Sequence, residues 1–384
     1  MQLKRPTLLL DREKCLANIH FMAEKASRHN VEFRPHFKTH QSAEIGRWFK
    51  DFGVSRITVS SVTMAEYFAG NGWNDITIAF PVNLAEVDEI NALARKINLN
   101  VLVENPEAVE ALAGILQSQV GVFIKVDAGY HRTGIDVERR DKILDLIHLI
   151  GNKRHLTFKG LIAHNGHTYH QTVQEEANTF TPFQYMEKTQ EAILSVHNQC
   201  LTKLLKLKNI LSEQGIHAVL SVGDTPALSL TENFAGIDEI RPGNFVFYDL
   251  MQQKLGVCSN DQIAVALACP IVAIHPERLE VVIYGGAVHL SKDFITGDSG
   301  NPVYGEVVWL NENGWSAPIK NTYVKSLSQE HGIIKTTQEF IHQFRPGMFV
   351  GILPIHSCLT NSYMPWMQTL NGQIIRTMDL YPEP

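Results

Sequence analysis

Short runs of apolar and β-branched residues recur along the first two thirds of the chain, at 31–38, 56–62, 75–81, 100–104, 121–127, 157–164, 218–222 and 237–241. Stretches with helical spacing or helix caps separate them, as at 84–98, 106–118 and 136–150. Eight β-runs alternating with helices predict an α/β chain whose residues 11–255 form a (β/α)8 TIM-type barrel. The span 170–214 is longer than one crossover needs, and 171–211 reads as two helices or one long one between strands six and seven. After about residue 256 the rhythm changes. Runs at 263–267, 279–284, 304–310, 349–353 and 373–378 follow one another without long helices and with turn residues such as Asn311-Glu312-Asn313-Gly314. Residues 256–384 are therefore expected to form a second, C-terminal antiparallel β-domain, which residues 1–10 return to join. No internal repeat or low-complexity tract interrupts the pattern.

Composition narrows the class. The chain has 384 residues, 44% of them hydrophobic and 19% charged, enough apolar content for a large core. Its net charge of −6 comes from interspersed acids and bases, so neither nucleic acid nor an anionic membrane is expected as a partner. Cys15, Cys200, Cys258, Cys269 and Cys358 are scattered and odd in number, which argues against a disulfide framework and for a reducing cytoplasm. The run Leu8-Leu9-Leu10 is too short for a signal peptide or membrane span.

Catalytic residues of such barrels stand at the C-terminal ends of the strands, and the conspicuous polar residues fall there. Lys38 ends the first run, in Arg34-Pro35-His36-Phe37-Lys38-Thr39-His40. Strand alternation there sends Arg34, His36 and Lys38 to one face. A lysine amine flanked by cations and partly buried has a depressed pKa and becomes a nucleophile suited to Schiff-base chemistry; a solvated lysine beside a proline turn is the plain alternative. Asp127-Ala128-Gly129-Tyr130-His131-Arg132-Thr133-Gly134 ends strand five, and His164-Asn165-Gly166-His167-Thr168-Tyr169-His170 ends strand six. Ser221-Val222-Gly223-Asp224-Thr225-Pro226 and Arg241-Pro242-Gly243-Asn244 end strands seven and eight, where phosphates commonly bind in these barrels. Each glycine loop taken alone is explained as a turn with a cap. Together with a lysine on strand one, they favour a phosphorylated cofactor.

These motifs resemble the pyridoxal-phosphate enzymes of the alanine racemase fold type, and more closely the branch containing D-serine dehydratase and D-threonine aldolase. Ser328-Gln329-Glu330-His331-Gly332 and Pro354-Ile355-His356-Ser357-Cys358-Leu359-Thr360 are similar to that branch. The resemblance implies pyridoxal 5'-phosphate bound through Lys38 and covered by His164. It implies a phosphate held by the backbone of Gly223, Asp224, Gly243 and Asn244, with Tyr169, Thr225 and Tyr248 as further cofactor contacts and Arg241 near the pyridine nitrogen. An aspartate at 224 departs from the small hydroxyl residue more familiar there.

His356 and Cys358 stand at i and i+2, which on a strand puts both side chains on one side, and imidazole with thiolate suits zinc. Two ligands leave the metal open to bind a substrate hydroxyl as a Lewis acid. By resemblance, cysteine at this place favours a D-serine dehydratase over a D-threonine aldolase, and His331, after Glu330, is a candidate catalytic partner; a solvent-satisfied surface histidine is the alternative. The expected function is a pyridoxal-phosphate- and metal-dependent lyase dehydrating D-serine to pyruvate and ammonia. The alternatives are aldol cleavage to glycine and an aldehyde, racemisation, and a non-catalytic cofactor-binding barrel. The resemblance also implies a homodimer.

Overall fold

A computed structural model of the chain describes residues 3–171, 182–297 and 300–379. Eight parallel strands neighbour one another in the order Glu32–Phe33, Glu239–Ile240, Val219–Gly223, Leu156–His164, Val120–Asp127, Asn98–Val103, Asp75–Pro81 and Ile57–Val59. A parallel bridge between His36 and Thr58 joins the two ends, so the eight expected runs close into a barrel. Alternation along these strands aims Leu102, Phe123 and Ile162 into one buried cluster, with Ala79 and Val219 packed against it.

The covering helices begin where the sequence supplies caps. Ser61 accepts the Met64 N–H at 3.1 Å ahead of Val62–Gly70, and Asn105 accepts that of Ala108 at 2.9 Å ahead of Pro106–Ile115. The helix Arg140–Gly151 buries Ile143, Leu146, Ile147 and Ile150, one face at helical spacing. Of the long span between strands six and seven, residues 172–181 lie outside the described residues, and Pro182–Glu213 is one helix. Thr189, Ile193, His197, Cys200, Leu204, Leu207 and Leu211 form its buried stripe, stepping by three or four.

Beyond the barrel, Val265–His275, Glu280–Tyr284, His331–Lys335, Tyr323–Leu327, Gly305–Asn311 and Phe349–Pro354 form an antiparallel ring, because Glu280–Tyr284 pairs with both Val265–His275 and His331–Lys335. The strand Thr7–Leu10 does return to this sheet. It pairs antiparallel with Val265–His275 and parallel with Trp366–Thr369, the one parallel pairing in the sheet among the described residues. By contact, the chain separates into two compact units: Phe21–Lys38 with Phe49–Gly243, and the residues up to His20 with Thr39–Trp48 and everything from Asn244 on. No helix among the described residues is long and apolar enough to cross a membrane.

Candidate active site

In the barrel unit, the strand carrying Lys38 is shorter than its alternation suggests. Only Glu32–Phe33 is regular, and Lys38 sits in the turn that follows. The backbone nevertheless stays pinned between both neighbours: His36 N–H donates to Pro242 O at 2.9 Å, and Phe37 N–H to Thr58 O at 2.9 Å. Phe37 is fully buried against Phe49, Phe68 and Trp73, with ring centroids 4.9, 5.0 and 5.1 Å away. Lys38 therefore emerges, exposed, from a rigid aromatic anchor. The expectation that Arg34 flanks it as a bare cation is corrected. Arg34 is buried and donates to Asp75 and Glu239 at 2.6 Å each, so its charge is balanced.

Around the strand ends, charge and protonation follow from burial. Burial and the neighbouring Lys38, Arg241, His164 and Arg132 hold His36 well below its ordinary pKa. His164 is held down in the same way, by burial and then Lys38, Arg132, Lys125 and Arg241, so its imidazole is neutral. Its Nδ1–H donates to Gly223 O at 2.6 Å, and Tyr130 meets its ring edge-on at 5.8 Å. Arg241 is fixed beneath by bonds to Ser221 Oγ at 2.7 Å and Ala163 O at 2.5 Å. A Cβ on Gly223 would stand 3.1 Å from the Arg241 guanidinium, so any larger residue would have to push that side chain aside by a few tenths of an ångström. Asp127 builds its own loop. Burial would raise its pKa, but the N–H groups of Gly129, Tyr130 and His131, each at 2.8 Å, bring it below the ordinary value.

Lys125 was not singled out by the sequence reading. It lies two residues before Asp127 on the same strand, and burial with Arg241 and Arg132 pushes its amine down to about 7. Strand periodicity back from Asp127 would have found it. Lys38, Lys125, Arg132 and Arg241 thus gather cationic character about two neutral imidazoles, with Asp127 and Glu104 as partial counterweights. Such a cluster fits an anionic ligand.

The loops after strands seven and eight converge. Thr225 N–H donates to Tyr169 Oη at 3.2 Å, and Gly243 N–H to Thr225 Oγ1 at 3.3 Å, which ties the two loops together. Asp224 turns away. It accepts the Ala227 N–H at 2.7 Å, and burial pushes its carboxyl up to about 7 against the pull of that N–H and of Thr168.

In the other unit, Asn244 directs its side chain at the C-terminal segment, donating to Asp249 Oδ2 at 2.6 Å, Ser357 Oγ at 3.1 Å and Cys358 Sγ at 3.5 Å. Tyr248 is buried at a left-handed φ of 50°, a strained conformation for a bulky residue. Asp249, also buried, accepts from the Ser357 N–H at 3.0 Å and its hydroxyl at 3.2 Å.

His356 and Cys358 do meet, but not by strand alternation. The strand ends at Pro354; His356 is the extended N-cap residue, with φ −134° and ψ 95°, and Cys358 lies in the first turn of the helix Ser357–Ser362. His356 Nδ1 lies 2.9 Å from Asp293 Oδ2, and Thr39 Oγ1 lies 3.3 Å from Cys358 Sγ. Burial opposes a charge on His356, yet Asp293, Cys358 and Asp249 together push its pKa up to about 11. These surroundings favour a cation. No group of three or more His, Cys, Asp or Glu that could hold a metal ion is found among the described residues. His331 lies exposed where the strands Tyr323–Leu327 and His331–Lys335 turn.

A family model described as "Alanine racemase, N-terminal domain" matches residues 10–250, and one described as "Putative serine dehydratase domain" matches 264–370. The chain is 30% identical to D-serine dehydratase of Dictyostelium discoideum, over 93% of this chain and 91% of that one. It is 25% identical to D-threo-3-hydroxyaspartate dehydratase of Delftia sp. (strain HT23), over 96% and 95%. A crystal structure of an alanine racemase-like protein from Idiomarina loihiensis superposes with a TM-score of 0.85 at 26% identity, covering 98% of this chain and 97% of that one. A lysine-bearing barrel followed by a β-domain carrying His-x-Cys is thus matched along both of its parts, and the chain belongs to the alanine racemase N-terminal domain family, in the branch with a C-terminal serine dehydratase domain.

Proposed function

We propose that this protein is a pyridoxal-phosphate- and metal-dependent lyase of D-β-hydroxy amino acids, dehydrating D-serine to pyruvate and ammonia. The observation that carries the reading is the pairing, in one chain, of a cationic cluster around Lys38 with a His356–Cys358 pair in anionic surroundings. The names of two relatives similar over nearly the whole chain, each a dehydratase, support it.

The residues fit the cofactor: Lys38 would hold it covalently, the backbone of Gly223, Asp224, Gly243 and Asn244 would take its phosphate with Tyr169 and Thr225 close by, and neutral His164 would cover its ring. When bound, the cofactor would supply a sink for the electron pair left at the substrate's α-carbon. The Lys38 amine would take the α-proton at Nζ. Arg241, held by Ser221 and Ala163, would lie near the pyridine nitrogen. His356 and Cys358 would hold a divalent metal, zinc by the softness of the thiolate, and it would supply Lewis acidity toward the β-hydroxyl. Asn244 and Thr39 steady the thiol that this requires. His331 would be a further catalytic partner. A homodimer in the cytoplasm completes the proposal, from the family likeness and the scattered reduced cysteines.

Product identification tests it. Wild-type protein should form pyruvate and ammonia from D-serine, and faster than it forms glycine and acetaldehyde from D-threonine, with L-serine inert. Glycine and aldehyde without pyruvate would replace the dehydratase by the aldolase. Interconversion of enantiomers alone would sink both lyase readings.

A further inference from the structure

Imidazole offers two nitrogens, and whichever one donates its hydrogen leaves the other with the lone pair that a metal needs. In His356 the choice is made by a residue far away in sequence. Asp293 Oδ2 stands 2.9 Å from His356 Nδ1, a charge-assisted hydrogen bond across 63 positions. The loop that delivers Asp293 is itself constrained: Ser291 is buried at a φ of 68°, its N–H donates to Ala287 O at 2.9 Å, and its Oγ accepts the Asp293 N–H at 3.1 Å. Asp293 thus reaches His356 from a fixed turn.

We propose that Asp293 is the positioning residue of the metal centre: by accepting the Nδ1 hydrogen of His356 it commits Nε2 to the metal and fixes the plane of the ring. The inference rests on the metal reading given above. Partners of this kind are worth about 10–100-fold in metal affinity. Without a metal in the account, the same contact is a half-exposed ion pair between a loop and a helix start, with little consequence beyond local order.

Zinc affinity of the cofactor-loaded protein, measured by competition with a chromogenic chelator, separates the two. Asp293→Ala should weaken zinc about 10–100-fold while the melting temperature and the visible absorbance of the bound cofactor stay at wild-type values. Asp293→Asn, whose amide oxygen still accepts the hydrogen, should recover most of that loss. Cobalt in place of zinc should keep its thiolate absorption in both variants, because the ligand set is unchanged. Wild-type zinc affinity in Asp293→Ala would overturn the proposal, as would a change in cobalt coordination number, which would make Asp293 a ligand. Should Asp293→Ala fold poorly, nitrogen-15 histidine spectra of the zinc-loaded wild type decide: metal on Nε2 with a proton on Nδ1 is expected, and metal on Nδ1 overturns the idea. A wild-type protein that binds no zinc at all would instead remove the metal reading itself, a result distinct from all of these.

Discussion

His164 and His356 are the same side chain held in opposite charge states. In the barrel unit, burial and four neighbouring cations strip the proton from His164. In the β-domain unit, two carboxylates and a thiol keep His356 charged despite burial. The lesson is about what each place lacks. A cluster short of negative charge is prepared for a phosphate and a carboxylate, and a cluster short of positive charge is prepared for a metal ion. Neither histidine's role is readable from the residue type.

The contrast breaks most sharply at Lys38. Lys38→Ala should lower turnover by roughly 10⁴-fold or more, since covalent attachment and α-proton transfer are lost together. Borohydride reduction of wild-type protein should place the pyridoxyl label on Lys38; a label on Lys125, the buried amine with a depressed pKa, would move the covalent site and undo the assignment.

Metal removal tests the other half. Chelator dialysis should cost roughly 10²–10³-fold in rate, the several kcal/mol expected of a Lewis acid, while the visible absorbance of the bound cofactor persists. Full activity in protein shown to be metal-free by elemental analysis would take His356 and Cys358 out of the reaction.

The barrel's side of the comparison also has a stability signature. Asp224 has a folded pKa of about 7 against an ordinary 3.8, so the folded state binds the proton more tightly than the unfolded state between those values. Stability of cofactor-free wild type should therefore fall as pH rises from about 4 to about 7. Asp224→Asn keeps an acceptor for the Ala227 N–H and should be more stable at pH 8 by a few kcal/mol, with no advantage at pH 4. Equal denaturation midpoints at pH 8 would refute this.

The smallest expected effect concerns metal choice. Cys358→Asp should shift preference from zinc toward manganese or magnesium and lower the ratio of dehydratase to aldolase products by about tenfold. An unchanged ratio would show that the thiol does not select the reaction.

Much of this was legible in the chain. All eight barrel strands lie within or overlap the runs marked by apolar periodicity, because parallel strands buried on both faces must be apolar throughout. Short strands such as Tyr323–Leu327 and Trp366–Thr369 were passed over, since Lys325, Ser326 and Gln368 interrupt their apolar character. Lys38, His164 and Thr225 do stand at or just after the ends of barrel strands, the places where such folds concentrate chemistry. Asp224 is expected at the phosphate through its backbone, and only the fold shows what its carboxyl does, which is to cap the N–H of Ala227. Asp293 and Asp249 carried no local signal. Their partners lie 63 and 108 residues away, and only the fold brings them to His356 and Ser357.

The strand Thr7–Leu10, wedged between Val265–His275 and Trp366–Thr369, has a consequence for biosynthesis. Leu8, Leu9 and Leu10 end fully buried, yet both strands that bury them are made by the ribosome only after the whole barrel has been translated. At ~5–20 residues per second that wait is on the order of tens of seconds. Throughout it, a sticky apolar edge hangs from the nascent chain with no native partner in existence. The barrel can mature as it emerges, but the antiparallel sheet is sealed only by its last strands, so a message cut short before Trp366 yields a protein whose oldest strand lacks its parallel partner.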